Sequence, residues 1–179
     1  MAASSLPEIE EIVRRYADMV YRIARLHTLQ EKDAEDIFQE TFLRLVKHIH
    51  KLKNEEHLKA WLIRVTINCC KSQTGSTWNQ RVVVTEKDVL EGHTDQVSEF
   101  QDGLGDSEVY EAVKSLSPKY RDVIHLFYYE DLSIKEISKV LECREGTVKS
   151  QLTRAREQLS QIIENPFKKS EEGRMNLNV

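Results

Sequence analysis

Apolar residues recur along this chain at alternating three- and four-residue steps, the spacing of one buried face on an α-helix. The first run follows Leu6-Pro7, proline being suited to the first helical turn, and places Ile9, Ile12, Val13, Tyr16, Val20, Ile23 and His27 on one stripe. Arg14, Arg15, Arg22 and Arg25 lie outside it. After a polar connection, Leu29 to Lys32, the pattern predicts a second helix over Asp33 to Ile49 that buries Ile37, Phe38, Phe42, Leu45, Val46 and Ile49. Its acids gather early and its bases late, as the helix dipole favours. Asp36, Gln39 and Glu40 fall off that stripe. A polar loop, "KLKNEE", leads to a third helix over "HLKAWLIRVTINCCKSQ", with Leu58, Trp61, Leu62, Val65 and Cys69 inward and Arg64, Asn68 and Lys71 sharing another face.

No helical stripe persists through residues 74–107, where glycines and scattered polar residues read as a flexible linker and "RVVV" as at most a short strand. Periodicity then resumes. "SEVYEAVKSL" predicts burial of Val109, Ala112, Val113 and Leu116, and Ser117-Pro118 caps a helix carrying Tyr120, Val123, Ile124, Phe127 and Tyr128. The most informative stretch is Leu132 to Ile163. Ser133 and Glu136 form a capping box, so a helix starts at Ile134, turns Ile134, Ile137, Val140 and Leu141 inward and ends near Glu142-Cys143. A second helix aligns Val148, Leu152, Ala155, Leu159 and Ile162, leaving Lys149, Ser150, Thr153, Arg154 and Arg156 outward. Gly146 is expected to let the two helices approach closely at the turn. Short and cationic side chains beside an apolar stripe suit a helix that reads a DNA groove, although an ordinary bundle helix has the same outline. The expected fold is all-α: two small helical domains, residues 1–73 and 108–166, joined by an acidic linker over 74–107 and followed by a disordered tail, 167–179.

Charge alters that picture. The chain has 179 residues and a net charge of −4. Residues 1–73 and 108–169 carry only +1 each, while 74–107 carry −5. Non-specific DNA binding scales with phosphates neutralised, so either domain alone should hold duplex DNA weakly and need a larger partner. The three cysteines include the neighbours Cys69 and Cys70, an odd count that argues against a secreted disulfide framework. No second cysteine pair or histidine stands at zinc-ligand spacing, and His27 reads as a core residue, so no metal or cofactor is expected. No Ser-His-Asp, Cys-His, HExxH or glycine-rich phosphate motif appears, which excludes a recognisable enzyme or small-molecule substrate site. No apolar run of roughly eighteen residues or more is present, so a soluble cytoplasmic chain without membrane insertion is expected. On the third helix, an amide between two cations at Arg64, Asn68 and Lys71 is suitable chemistry for an exposed base and its phosphates.

Three phrases carry a resemblance. "SPKYRDVIHLFYYEDLSIKEISKVL" followed by "REGTVKSQLTRAREQL" resembles the C-terminal promoter-reading domain, region four, of bacterial extracytoplasmic-function sigma factors. "DAEDIFQETFLRL" resembles the region-two helix that grips the beta-prime coiled coil of RNA polymerase, and "AWLIRVTIN" looks like the family's −10-reading stretch. The resemblance implies a function: binding core RNA polymerase through its beta-prime and beta subunits, directing it to −10 and −35 promoter elements and helping to open the DNA. It implies polymerase contacts at Asp36, Gln39, Glu40 and Arg44. Leu52, Lys53, Asn54, Arg64, Asn68 and Lys71 would lie at the melted −10 strand. Arg144, Thr147, Lys149, Ser150, Thr153 and Arg154 would lie at the −35 element. The family's linker runs through polymerase's channels, where acid here would imitate RNA, and an anti-sigma partner usually restrains the protein. Three departures stand out: Glu142 replaces a frequent glycine, Arg144 a small capping residue, and Thr153 is short for direct base reading. The rival reading is a helix-turn-helix repressor or activator with an N-terminal dimerisation or sensor domain. Such a domain has no reason to contain the two region-two phrases.

Overall fold

The computed structural model describes residues 7–80 and 108–164, and all the regular elements among them are helical. They fall into two units, each packed within itself. In the first, α1 (Ile9–His27), α2 (Glu31–His48) and α3 (Glu55–Gln80) each touch the other two, with one 3-10 turn over Ile49–Lys51 between α2 and α3. Ile12, Val20, Ile23, Ile37, Leu45, Leu58 and Leu62 form the core, as the stripes predicted. Because α3 lies against two helices, it also buries Ile63, Thr66, Ile67 and Cys70, which a single stripe did not anticipate. The buried threonines are satisfied along their own helices: Thr28 donates to Ala24 O at 3.0 Å, Thr41 to Ile37 O at 2.8 Å and Thr66 to Leu62 O at 2.7 Å. Arg15 donates to Glu55 and, at 2.6 Å, to Glu11, while the Tyr16 hydroxyl meets Glu55 at 3.1 Å. These bonds tie the start of α3 to α1 and hold the Glu55 carboxyl below its ordinary pKa.

Two expectations for this unit are corrected. Val46 faces out, because the buried line of α2 runs through Ile37, Thr41 and Leu45 and the next residue is turned about 100° away from it. The third helix continues to Gln80, seven residues beyond the expected boundary at 73. "TGSTWNQ" contains no proline, and one helical glycine costs only about 1 kcal/mol. The remainder of the expected linker, including "RVVV", and the expected tail lie outside the described residues.

The second unit comprises α4 (Glu108–Ser115), α5 (Pro118–Tyr128), α6 (Ile134–Val140) and α7 (Glu145–Glu164), with α7 packed on the other three. Val148, Leu152 and Ala155 are its buried ridge. The capping box at α6 is fully formed: Glu136 N donates to Ser133 Oγ at 3.2 Å, and Ser133 N to Glu136 Oε2 at 2.8 Å. At α5, Pro118 takes the first position, but the Ser117 hydroxyl makes no capping bond. The end of α4 is closed instead by Arg121, whose guanidinium donates to Lys114 O at 2.6 Å and Leu116 O at 2.9 Å. A buried pair, His125 Nε2 and Glu130 Oε1 at 3.1 Å, fastens the end of α5 to the turn before α6. Two residues expected inside are outside: Val109, in the first turn of α4, and Tyr128, at the end of α5. Gly146 is also corrected. A Cβ there would meet nothing within 4 Å, so close helix approach does not require this glycine. The tight turn falls at Glu142, whose φ of 54° is the left-handed conformation that favours glycine.

Candidate nucleic-acid interface

The outer face of α2 carries Asp36, Gln39 and Glu40, all exposed at three- and four-residue steps. The same face displays Leu43, 58% exposed, and Val46, 52% exposed. Two apolar side chains among carboxylates and an amide give this face the composition of an interface core inside a polar rim. Leu43 had a legible signal, since it is apolar yet fits no inward register. Arg44 is engaged on this face: its Nε donates to Glu40 Oε1 at 2.6 Å, a bond that raises the guanidinium above its ordinary pKa. An exposed pair of this kind contributes about 0–1 kcal/mol, so it yields readily to a partner. Beneath it, burial pushes the Cys69 thiol up, opposed by the nearby Arg44 charge and a Thr41 hydrogen bond. A thiol so placed stays protonated and unreactive.

Around the α2–α3 connection the implied −10 residues separate into two groups. Leu52 is 8% exposed, and its N–H bonds Ile49 O at 3.0 Å. Its side chain anchors the loop. Lys53 and Asn54 are exposed, but the Asn54 Oδ1 already accepts the His57 N–H at 2.8 Å and caps α3. Arg64, Asn68 and Lys71 do share a face, with Asn68 and Lys71 exposed and Arg64 half-buried. At about 1.5 Å rise per residue, Asn54 and Asn68 stand roughly 20 Å apart along α3, so one base does not touch both. Trp61 is half-buried, its ring 5.9 Å from that of His48, and not the fully internal residue its spacing implied.

On α7, Lys149, Ser150, Thr153 and Arg154 are all exposed along the face opposite the buried ridge, with Thr147 and Arg144 at its start. The Arg144 carbonyl accepts the N–H groups of Thr147 at 2.9 Å and Val148 at 3.2 Å, but its side chain has no acceptor with which to cap. Ser150 Oγ donates to Gly146 O at 2.9 Å and Thr153 Oγ1 to Lys149 O at 3.0 Å. Both hydroxyls thereby spend their proton within the helix and keep lone pairs with which to accept from a donor in solvent. Arg156 is a residue the pattern assigned only to the surface. Its Nε donates to Tyr128 Oη at 2.8 Å, and its guanidinium lies 5.6 Å from the rings of both Phe127 and Tyr128. This cation–aromatic cluster fixes the middle of α7 to the end of α5.

Among the described residues no group of three or more His, Cys, Asp or Glu is placed to hold a metal ion, and no helix is long and apolar enough to cross a membrane.

Comparison with known proteins divides the chain in the same places. Residues 12–79 match the family described as Sigma-70 region 2, and residues 106–159 the family described as Sigma-70, region 4. Over 165 residues the chain is 30% identical to the ECF RNA polymerase sigma factor SigE of Mycolicibacterium smegmatis, which covers 89% of this chain and 63% of that relative. Over 158 residues it is 32% identical to the ECF RNA polymerase sigma factor SigM of Bacillus subtilis, covering 86% of this chain and 94% of the relative. In fold it is similar to the sigma factor RpoE from Bartonella quintana, solved with the anti-sigma factor NepR, at a TM-score of 0.69 and 21% identity over 89% of this chain and 98% of that one. It is also similar to CnrH, solved with the cytosolic domain of CnrY, at a TM-score of 0.62 and 20% identity over 90% of this chain and 92% of that one.

Proposed function

This chain belongs to the extracytoplasmic-function RNA polymerase sigma factors of the sigma-70 family, and from that premise we propose how its residues divide the work of promoter recognition. A sigma factor joins core RNA polymerase and directs it to promoters; nucleotide addition remains with the polymerase, in the cytoplasm. The first unit, which we extend to Gln80, docks on the beta-prime subunit through Asp36, Gln39, Glu40 and Arg44, with Leu43 and Val46 as the apolar centre. It then holds the melted −10 strand with Lys53, Asn54 and the Leu52 main chain on the loop, and with Arg64, Asn68 and Lys71 along α3. The second unit sets Arg144, Thr147, Lys149, Ser150, Thr153 and Arg154 toward the −35 element. Residues 81–107 connect the two, and their acidity suits a polymerase channel made for RNA. An anti-sigma protein is a further partner, since RpoE and CnrH were each solved with a protein bound.

The observation that carries this arrangement is the outer face of α2, where two large apolar side chains stand in solvent among the acids that the resemblance assigns to polymerase. Leu43→Asp is expected to weaken binding to core polymerase by tenfold or more while helix content is unchanged, because truncating a central apolar anchor costs at least about 1–2 kcal/mol. Core polymerase plus this protein is expected to initiate at one defined class of promoter. Tight binding of the purified chain to a palindromic operator without polymerase would establish the repressor reading instead.

A further inference from the structure

The start of α3 is closed by a reciprocal cap. Asn54 Oδ1 accepts the His57 N–H at 2.8 Å, and His57 Nδ1 accepts the Lys53 N–H at 3.4 Å. This is the capping-box arrangement with an imidazole in place of the usual carboxylate, reaching one residue further back. Nδ1 serves as an acceptor only with the proton on Nε2, so the bond also sets the tautomer. Behind it, the buried Leu52 side chain and its N–H bond to Ile49 O at 3.0 Å fix the other end of the loop. The segment Leu52 to Asn54 is thus held at three points, while the side chains of Lys53 and Asn54 project into solvent.

The cap determines what Asn54 can offer. A backbone N–H only donates, so the atom that accepts it is the carboxamide oxygen, and the group facing outward is the NH2. Asn54 therefore turns two donors to solvent, while one of the two lone pairs of its oxygen is taken by the cap. The outward NH2 group is matched by a base that supplies a ring nitrogen or a carbonyl oxygen. Lys53 lies beside it with a positive charge for the adjoining phosphate.

We propose that His57 is a positioning residue for strand capture, holding Lys53 and Asn54 so that Asn54 selects one exposed nucleobase of the −10 strand through that base's acceptor atoms. The proposal rests on the reading that this loop meets the melted strand. Its test uses holoenzyme reconstituted from core polymerase and the full chain, probed with single-stranded DNA randomised over the −10 region. His57→Ala is expected to lower base preference at a single position by about three- to tenfold, the worth of one hydrogen bond, with core binding and helix content unchanged. His57→Asn, which returns an acceptor oxygen near the place of Nδ1, is expected to restore the preference, and His57→Gln, one carbon longer, to restore it poorly. In the selected strand, a base analogue lacking only the exocyclic amino group should bind within twofold of its parent, and one lacking the ring acceptor should not. If Asn54→Ala abolishes the preference while His57→Ala keeps it, the positioning role is overturned and the loop's contact with the strand stands. If neither variant alters any position, the loop's contact is overturned with it, and Arg64, Asn68 and Lys71 are left as the strand-holding face.

Discussion

Glu142 offers a quantitative check on the turn between α6 and α7. Its φ of 54° places an L residue in the left-handed region, at a cost of about 1–2 kcal/mol. The turn has no freedom to relax. Cys143 N donates to Ser138 O at 3.0 Å and Leu141 N to Ile137 O at 2.9 Å, closing the end of α6, while buried Val140 and Val148 fix the helices on either side. Glycine removes the steric penalty but loses more backbone entropy on folding, roughly 0.5–1 kcal/mol, so the net gain expected for Glu142→Gly over Glu142→Ala is about 0.5–1 kcal/mol. Both substitutions delete the same carboxylate, so its interactions cancel and the comparison reports the backbone alone. Hydrogen exchange of peptides from α6 and α7 in the intact chain would read this as roughly two- to fivefold slower exchange in the glycine variant wherever exchange follows unfolding of the unit. Glu142→Asn should fall between the two. Equal exchange in the alanine and glycine variants would refute the claim that this position stores strain.

Ser133→Ala removes the acceptor of the α6 capping box and should lower stability of the second unit by about 0.5–2 kcal/mol, seen as an earlier urea midpoint, with Ser133→Thr close to the parent. Toward Ellman's reagent, the half-buried Cys143 should react first in the native chain, while Cys69 and Cys70 wait for unfolding; two fast native thiols would contradict the burial of the pair. Burial, and then the Glu31 carboxylate, push the Tyr21 hydroxyl up to about 12. Its folded pKa exceeds the unfolded value of about 10, so the stability it contributes is complete below pH ~10 and is lost between about 10 and 12. Tyr21→Phe, which cannot ionise, should therefore lose stability less steeply across that interval, as unfolding midpoints of the two proteins would reveal.

Where one face of a helix is buried, spacing alone located it. The ridge Val148, Leu152 and Ala155 and the box of Ser133 and Glu136 stand as the sequence implied. The misplacements share a physical origin, in that periodicity records hydrophobicity and not partners. Val46 is apolar yet faces out beside Leu43, and no solvent-versus-core distinction is written into a valine. Thr41 and Thr66 are buried polar residues whose hydroxyls return to their own helix, so the core passes through positions that read as polar. α3 buries two sides because it meets two helices, which depends on tertiary arrangement. At the site, residue types were legible and engagement was not: Asn54 is committed to a cap, Leu52 to the core and Arg44 to Glu40. Gly146 shows the converse, a glycine where none is needed, while the left-handed position is held by glutamate.

The exposed side of α7 has a consequence for how such a protein changes over time. Lys149, Ser150, Thr153 and Arg154 are exposed, and the two hydroxyls donate to carbonyls of their own helix one turn back. Substituting them leaves Val148, Leu152, Ala155 and the Arg156 clamp on α5 intact. On the proposed reading, the residues that choose a promoter and those that keep the domain folded are thus separate sets on one helix. On that reading, a duplicated copy of this protein would drift toward a new set of promoters without passing through an unfolded intermediate.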